Sequence, residues 1–199
     1  MGCQHTKSAS EKQVNGDGQT EEKLTVDEVD DEVDVEPITP RQKELIMETW
    51  KHLVDNISNV GVITFMNLFE THPDVQDVFM PFKGLSKEEL RLSEELRAHG
   101  LRVMGFVQKV VARLEEPEKA DNLLRELGKN HVMYGARRAY VDLIGPQFVY
   151  AVKPSMTDHW SDEIEESWLQ LFRYMAFVMK KAMLESIKTQ NSEIPRIES

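Results

Sequence analysis

Between residues 161 and 188, Ile164, Trp168, Leu171, Met175, Val178 and Ala182 recur at intervals of three and four, uninterrupted by glycine or proline. That spacing lays one apolar stripe along a single long helix. Acidic side chains fill its first turn and Lys180, Lys181 and Lys188 lie late, the arrangement the helix dipole favours. A stripe of that length must be covered by other elements, and the rest of the chain offers only further helices. No alternating strand, tight hairpin signal or internal repeat interrupts the pattern.

The earlier segments follow from their punctuation. Thr39-Pro40 supplies a hydroxyl cap with proline at the first helical position, and Leu45, Ile46, Trp50, Leu53, Val54 and Ile57 then repeat at helical spacing. Asn59-Val60-Gly61 reads as a corner, after which Ile63, Met66 and Phe69 continue the pattern to Pro73. A short helix holds Val75, Val78 and Phe79, and Pro81 and Gly84 mark a loop. Ser86-Lys87-Glu88-Glu89 is a capping box that opens one helix running to about Leu114. Glu116-Pro117 starts the next, which stops near Gly135. A further helix over roughly 137–152 is expected to be interrupted or kinked at Gly145-Pro146. The fold class is all-α, with seven or eight helices.

Charge divides the chain. Residues 1–40 carry eleven acidic and three basic side chains, so that segment holds eight of the eleven net negative charges. Lacking aromatics, it cannot bury enough to offset the entropy of ordering itself. The expected organisation is a disordered acidic tail over 1–38, one helical domain over 39–190 and a flexible end over 191–199. No lysine and arginine stripe of the kind that neutralises phosphates is present, which argues against a nucleic-acid partner. A single cysteine, Cys3, excludes an internal disulfide and a cysteine-based zinc site. No nucleophile elbow, P-loop, HExxH or EF-hand pattern points to a conventional enzyme.

Two histidines stand out against this background. Leu92, Leu96, His99, Val103, Phe106 and Val110 share one side of a helix, and Leu123, Leu124, Leu127 and His131 share one side of the next. An imidazole in an apolar stripe needs a hydrogen-bond partner or a metal, because leaving it unpaired costs on the order of 1–3 kcal/mol. A backbone carbonyl would serve either histidine. Two of them on neighbouring helices also suit opposed ligands across a flat cofactor, and spacing alone does not choose between these readings.

The surrounding residues resemble the globin family over about residues 40–188. In LFETHPDVQDVFMPF, Pro73 is followed six residues on by Phe79 and then by Phe82, as at the globin corner before the distal helix. LRAHGLRV is similar to the distal-histidine segment, with His99 as distal histidine and Val103 one turn later. LGKNHVMYG resembles the proximal segment, with His131 as the iron ligand. Trp50 matches a tryptophan common in the first globin helix, and Phe65, fourteen residues before Phe79, matches a pocket position on the second. The likeness is to the neuroglobin-like side of the family, and the extended tail is similar to that of its globin X branch. The resemblance implies a globin fold around a haem pocket, with haem b as cofactor. It also implies that His99 itself binds the iron when no gas is present.

On that footing the other site residues acquire expected roles. His131 would be oriented by a carbonyl one turn back, near Leu127. Phe79, Phe82, Phe106 and Leu127 would pack on the porphyrin and keep water out. Arg102 would either pair with a haem propionate or remain a solvated surface arginine. Oxygen, nitric oxide, carbon monoxide or nitrite are the expected small ligands, with an unidentified reductase as electron donor.

The first residues, MGCQHT, fit M-G-x-x-x-[ST], which marks Gly2 for myristate once Met1 is removed. One myristoyl chain binds membranes only marginally, so palmitate on Cys3 is the natural second signal; otherwise Cys3 is an inert thiol. The acidic run VDEVDDEVDVE would be repelled by an anionic leaflet, and a coil of 38 residues would hold the domain roughly 30–40 Å from it. Members of the globin X branch look dually acylated, and the resemblance implies a lipid-anchored protein at the cytoplasmic face of the plasma membrane. Its expected work is redox or signalling chemistry, such as nitrite reduction or protection of lipid from oxidation. The alternative from another class is a haem-free helical adaptor that recruits a partner to the membrane.

Overall fold

A computed structural model describes residues 34–156 and 159–193. Among these residues there are eight α-helices and no strand: α1 Pro40–Leu53, α2 Ile57–Thr71, α3 Pro73–Val78, α4 Lys87–Leu92, α5 Glu94–Val111, α6 Pro117–Met133, α7 Ile144–Val152 and α8 Asp162–Glu193. The all-α expectation holds. The helix over 161–188 forms as one unbroken rod and continues past Lys188. It packs along α1, α6 and α7, while α2 crosses α5 and α7.

Local chemistry fixes the starts of the helices. Thr39 and Gln42 form a reciprocal capping box at α1, and Ser86 and Glu89 do the same at α4. Bonding to the Ser86 backbone and hydroxyl holds the Glu89 carboxyl below its usual range. One pair of buried polar groups in the main core is satisfied in sequence. Trp168 Nε1 donates to Thr49 Oγ1 at 3.0 Å, and that hydroxyl donates to the Leu45 carbonyl at 2.6 Å. Ahead of α1, Ile38 packs on the core and Gln170 donates to the Glu36 carbonyl.

Three expectations are corrected. The corner expected at Asn59-Val60-Gly61 lies earlier, as a 3-10 turn over Val54–Asn56. Gly61 sits buried inside α2, where a Cβ would come 2.8 Å from the Gly100 carbonyl carbon, so this glycine permits a close helix crossing rather than a turn. The single helix expected from Ser86 to Leu114 breaks at Ser93, which turns extended (φ −67°, ψ 120°) and caps α5 by accepting from the Leu96 amide. Leu92 therefore ends α4 at 83% exposure instead of joining the stripe that carries His99. Finally, the stretch 137–152 is interrupted rather than kinked, and the interruption falls before Ile144 rather than at Gly145-Pro146. A 3-10 segment covers Arg138–Leu143, and Pro146 falls in the first turn of α7, where its missing N–H has no helical partner to lose.

Candidate functional site

The Gly61–Gly100 crossing brings α5 against α2 with backbone nearly touching backbone, and it does so beside His99. One turn along α2 from Gly61, the Phe65 ring lies 4.7 Å from the His99 ring at 73°. Phe79 and Phe82, from the segment after α3, complete a cage at 5.4 Å and 6.1 Å, both close to perpendicular. The loop that carries them is pinned from within: Gln76 Nε2 donates to the carbonyls of Phe82 (2.7 Å) and Leu85 (2.9 Å).

Burial in this apolar cage pushes the His99 pKa down to about 4, with the positive charge of Arg102 and then of His131 adding to the effect. His131 also lies below its ordinary value because of burial, partly offset by its bond to Leu127. Both imidazoles are thus neutral at pH 7. His131 Nδ1 is 2.8 Å from the Leu127 carbonyl oxygen, the contact expected from the sequence. A carbonyl carries no proton, so Nδ1 must donate, and the lone pair of His131 is left on Nε2.

The two histidine-bearing helices are each incompletely covered beside their histidine. Leu96, Met104, Val107 and Val110 of α5 and Leu124 and Val132 of α6 are fully buried against protein. His99, Val103, Phe106, Leu127 and His131 are only half-buried, although they belong to the same apolar stripes. Val103 and Ile144 pack against both the phenylalanine cluster and the main core, bridging the two. A flat apolar group lying between α5 and α6 would cover these side chains.

The donor set fits one kind of metal centre. Among the described residues no three histidine, cysteine or carboxylate groups come together. Two imidazoles alone cannot build the shell that zinc takes from protein. Iron already held by four porphyrin nitrogens needs only axial donors, and neutral imidazoles supply them.

Each residue singled out in the sequence has a place here, with two exceptions. Phe65 and Phe82 are buried, Phe79 is half-buried in the cage, and Arg102 is exposed at its margin, near enough to bias His99. Gly2 and Cys3 lie outside the described residues. Sequence reasoning missed the Gly61–Gly100 contact, the bridging Ile144 and Tyr140, whose ring packs on the phenylalanine cluster. The signal for the first was available, since each glycine interrupts an otherwise regular helical stripe.

Fold and site together define a helical protein that presents two neutral imidazoles, from consecutive long helices, among half-covered apolar side chains. The globin family profile matches residues 63–179. Cytoglobin-2 of Oryzias latipes is 28% identical over 138 residues, which is 68% of this chain and 77% of that one. Neuroglobin-2 of Oncorhynchus mykiss is 26% identical over 148 residues, covering 74% of this chain and 93% of its own. Among solved structures, the hexacoordinated heme protein from an anhydrobiotic tardigrade at pH 4 superposes with a TM-score of 0.69 at 21% identity, covering 74% of this chain and 96% of that one. The chain belongs to the globin family.

Proposed function

We propose that this globin holds haem b with His131 as its permanent ligand and His99 as an exchangeable one, and works in redox or signalling chemistry at a membrane surface. The observation that carries this reading is the pair of imidazoles held neutral by burial, with the His131 proton committed to the Leu127 carbonyl. Bound haem would supply an iron that cycles between ferrous and ferric states and takes oxygen, nitric oxide or carbon monoxide. His131, with Nδ1 committed to the Leu127 carbonyl, would hold it through Nε2. His99 offers a second neutral nitrogen from α5, and Phe65, Phe79 and Phe82 exclude water around that ring. The exposed Arg102 guanidinium is available to a propionate at the margin.

An exchangeable sixth ligand has a quantitative consequence. Gas affinity falls by the fraction of time His99 is displaced, so such a site is a poor store and a better sensor or electron carrier. The description of the tardigrade protein as hexacoordinated supports the same ligation here. Reduction of nitrite to nitric oxide takes one electron and two protons and releases water, with the electron drawn from a reductase. Myristate at Gly2 and palmitate at Cys3 place the domain at the cytoplasmic face of the plasma membrane, where protection of lipid from oxidation is a second use of the same redox couple.

Reconstitution with haem b and rapid mixing with carbon monoxide tests the ligand assignment. His99→Leu should bind the gas with a single fast phase that lacks the delay imposed by displacement of His99 in the wild type. Equal binding rates in the two proteins would remove His99 from the ligand set.

A further inference from the structure

We propose that the hydrogen bond between Tyr140 and Asp74 is a latch that sets how readily His99 leaves its ligating position, with both residues acting as positioning residues. The proposal rests on the reading of His99 as an exchangeable ligand. Its starting point is the segment 73–85, which contributes two of the three rings around His99, Phe79 and Phe82. That segment is bonded mostly to itself, through Gln76 and through turns such as Phe82 N to Phe79 O. Among the described residues, the one hydrogen bond it makes to a distant part of the chain runs from Tyr140 Oη to Asp74 Oδ2, at 2.8 Å.

The other end of the bond lies on the His131 side. Tyr140 stands on the 3-10 segment Arg138–Leu143, reached directly from the end of α6. Its ring packs on the cluster that includes Phe65, Phe69 and Phe82, and Arg137 both donates to its hydroxyl at 3.3 Å and stacks over the ring at 5.6 Å. The phenol is therefore clamped before it reaches Asp74. The path runs from the backbone after His131, through Tyr140 and Asp74, to the segment that walls His99.

For His99 to swing away, its ring has to give up its edge-on contacts with Phe79 and Phe82. Both rings are carried on one internally bonded segment, so displacing them moves that segment as a unit. With the latch closed, that movement breaks the Tyr140–Asp74 bond. With the latch removed, it does not, and departure is faster by about the factor carried by one hydrogen bond of ordinary net strength, roughly fivefold.

The test uses full-length protein loaded with haem and reduced. At saturating carbon monoxide the observed binding rate reports His99 departure. Tyr140→Phe keeps the ring and its packing, and Asp74→Ala removes the acceptor. Each should raise that rate about fivefold, and the double variant should add nothing further. Asp74→Asn retains an acceptor oxygen and should stay within twofold of wild type. Hydrogen exchange in peptides covering 73–85 should quicken in Tyr140→Phe while α8 is unaffected. A six-coordinate wild type whose departure rate is unchanged by Tyr140→Phe overturns the latch alone, as does a faster rate without faster exchange in 73–85. A wild type that is five-coordinate when reduced overturns the ligand reading and the latch with it.

Discussion

Gly61→Ala isolates the contact that places His99. A Cβ on Gly61 would sit 2.8 Å from the Gly100 carbonyl carbon, 2.9 Å from its oxygen and 3.0 Å from its Cα. Carbon–carbon contacts settle near 3.5 Å, so α2 and α5 would have to part by roughly 0.7 Å. Every opposing atom is backbone, and no side chain can rotate away to absorb the strain. Overpacking of this kind costs about 1–3 kcal/mol, against about 1 kcal/mol gained by replacing a mid-helix glycine. The net expectation is a loss of up to about 2 kcal/mol, together with a shift of His99 away from Phe65. Gly105→Ala is the internal control, because its Cβ would meet nothing within 4 Å and only the propensity gain remains. Urea midpoints of the haem-free proteins measure the stability arm, and carbon monoxide binding to the reduced holoproteins measures the effect on His99. A Gly61→Ala protein as stabilised as Gly105→Ala, with unchanged gas kinetics, would refute the crossing as the device that positions the distal imidazole.

Other consequences follow from the same geometry. His131→Ala should leave haem loosely held, so that apomyoglobin-type acceptors strip it within minutes; retention equal to wild type would overturn the proximal assignment. Stability of the haem-free protein should depend on pH in a defined window. The folded pKa of His99 is about 4 against an ordinary 6.5, and that of His131 is also lowered, so the unfolded chain takes up protons first as pH falls. The stability linked to these groups is fully present above about pH 6.5 and is lost as pH falls toward 4. His99→Leu should lose less between urea titrations at pH 7 and pH 4.5, and a loss as large as wild type would count against the burial of this imidazole. Gly2→Ala should shift the protein from membrane to soluble fractions of cells. A soluble wild type with a free Cys3 thiol would end the acylation proposal.

What the sequence made legible is what a one-dimensional period encodes. The stripe from Ile164 to Ala182, the capping box at Ser86 and the hydroxyl and proline at Thr39-Pro40 all act within a few residues, and each appears in the structure where the pattern places it. The carbonyl partner of His131 was readable for the same reason, since a helix brings residue 127 beneath residue 131. The misplaced corner and the missed break have another origin. Gly61 has the local look of a turn, yet its meaning comes from Gly100, which lies across a helix crossing. Ser93 is one hydroxyl in a polar stretch, and only the buried Leu90 and Leu96 on either side require two helices rather than one. The Tyr140–Asp74 bond joins residues 66 apart and leaves no periodic trace.

The absorption spectrum of the purified, haem-loaded protein, reduced and free of oxygen, tests the central claim most directly. A low-spin six-coordinate spectrum that His99→Leu converts to a high-spin five-coordinate one is the predicted result. A spectrum without a Soret band, or a five-coordinate wild type indistinguishable from His99→Leu, would contradict it.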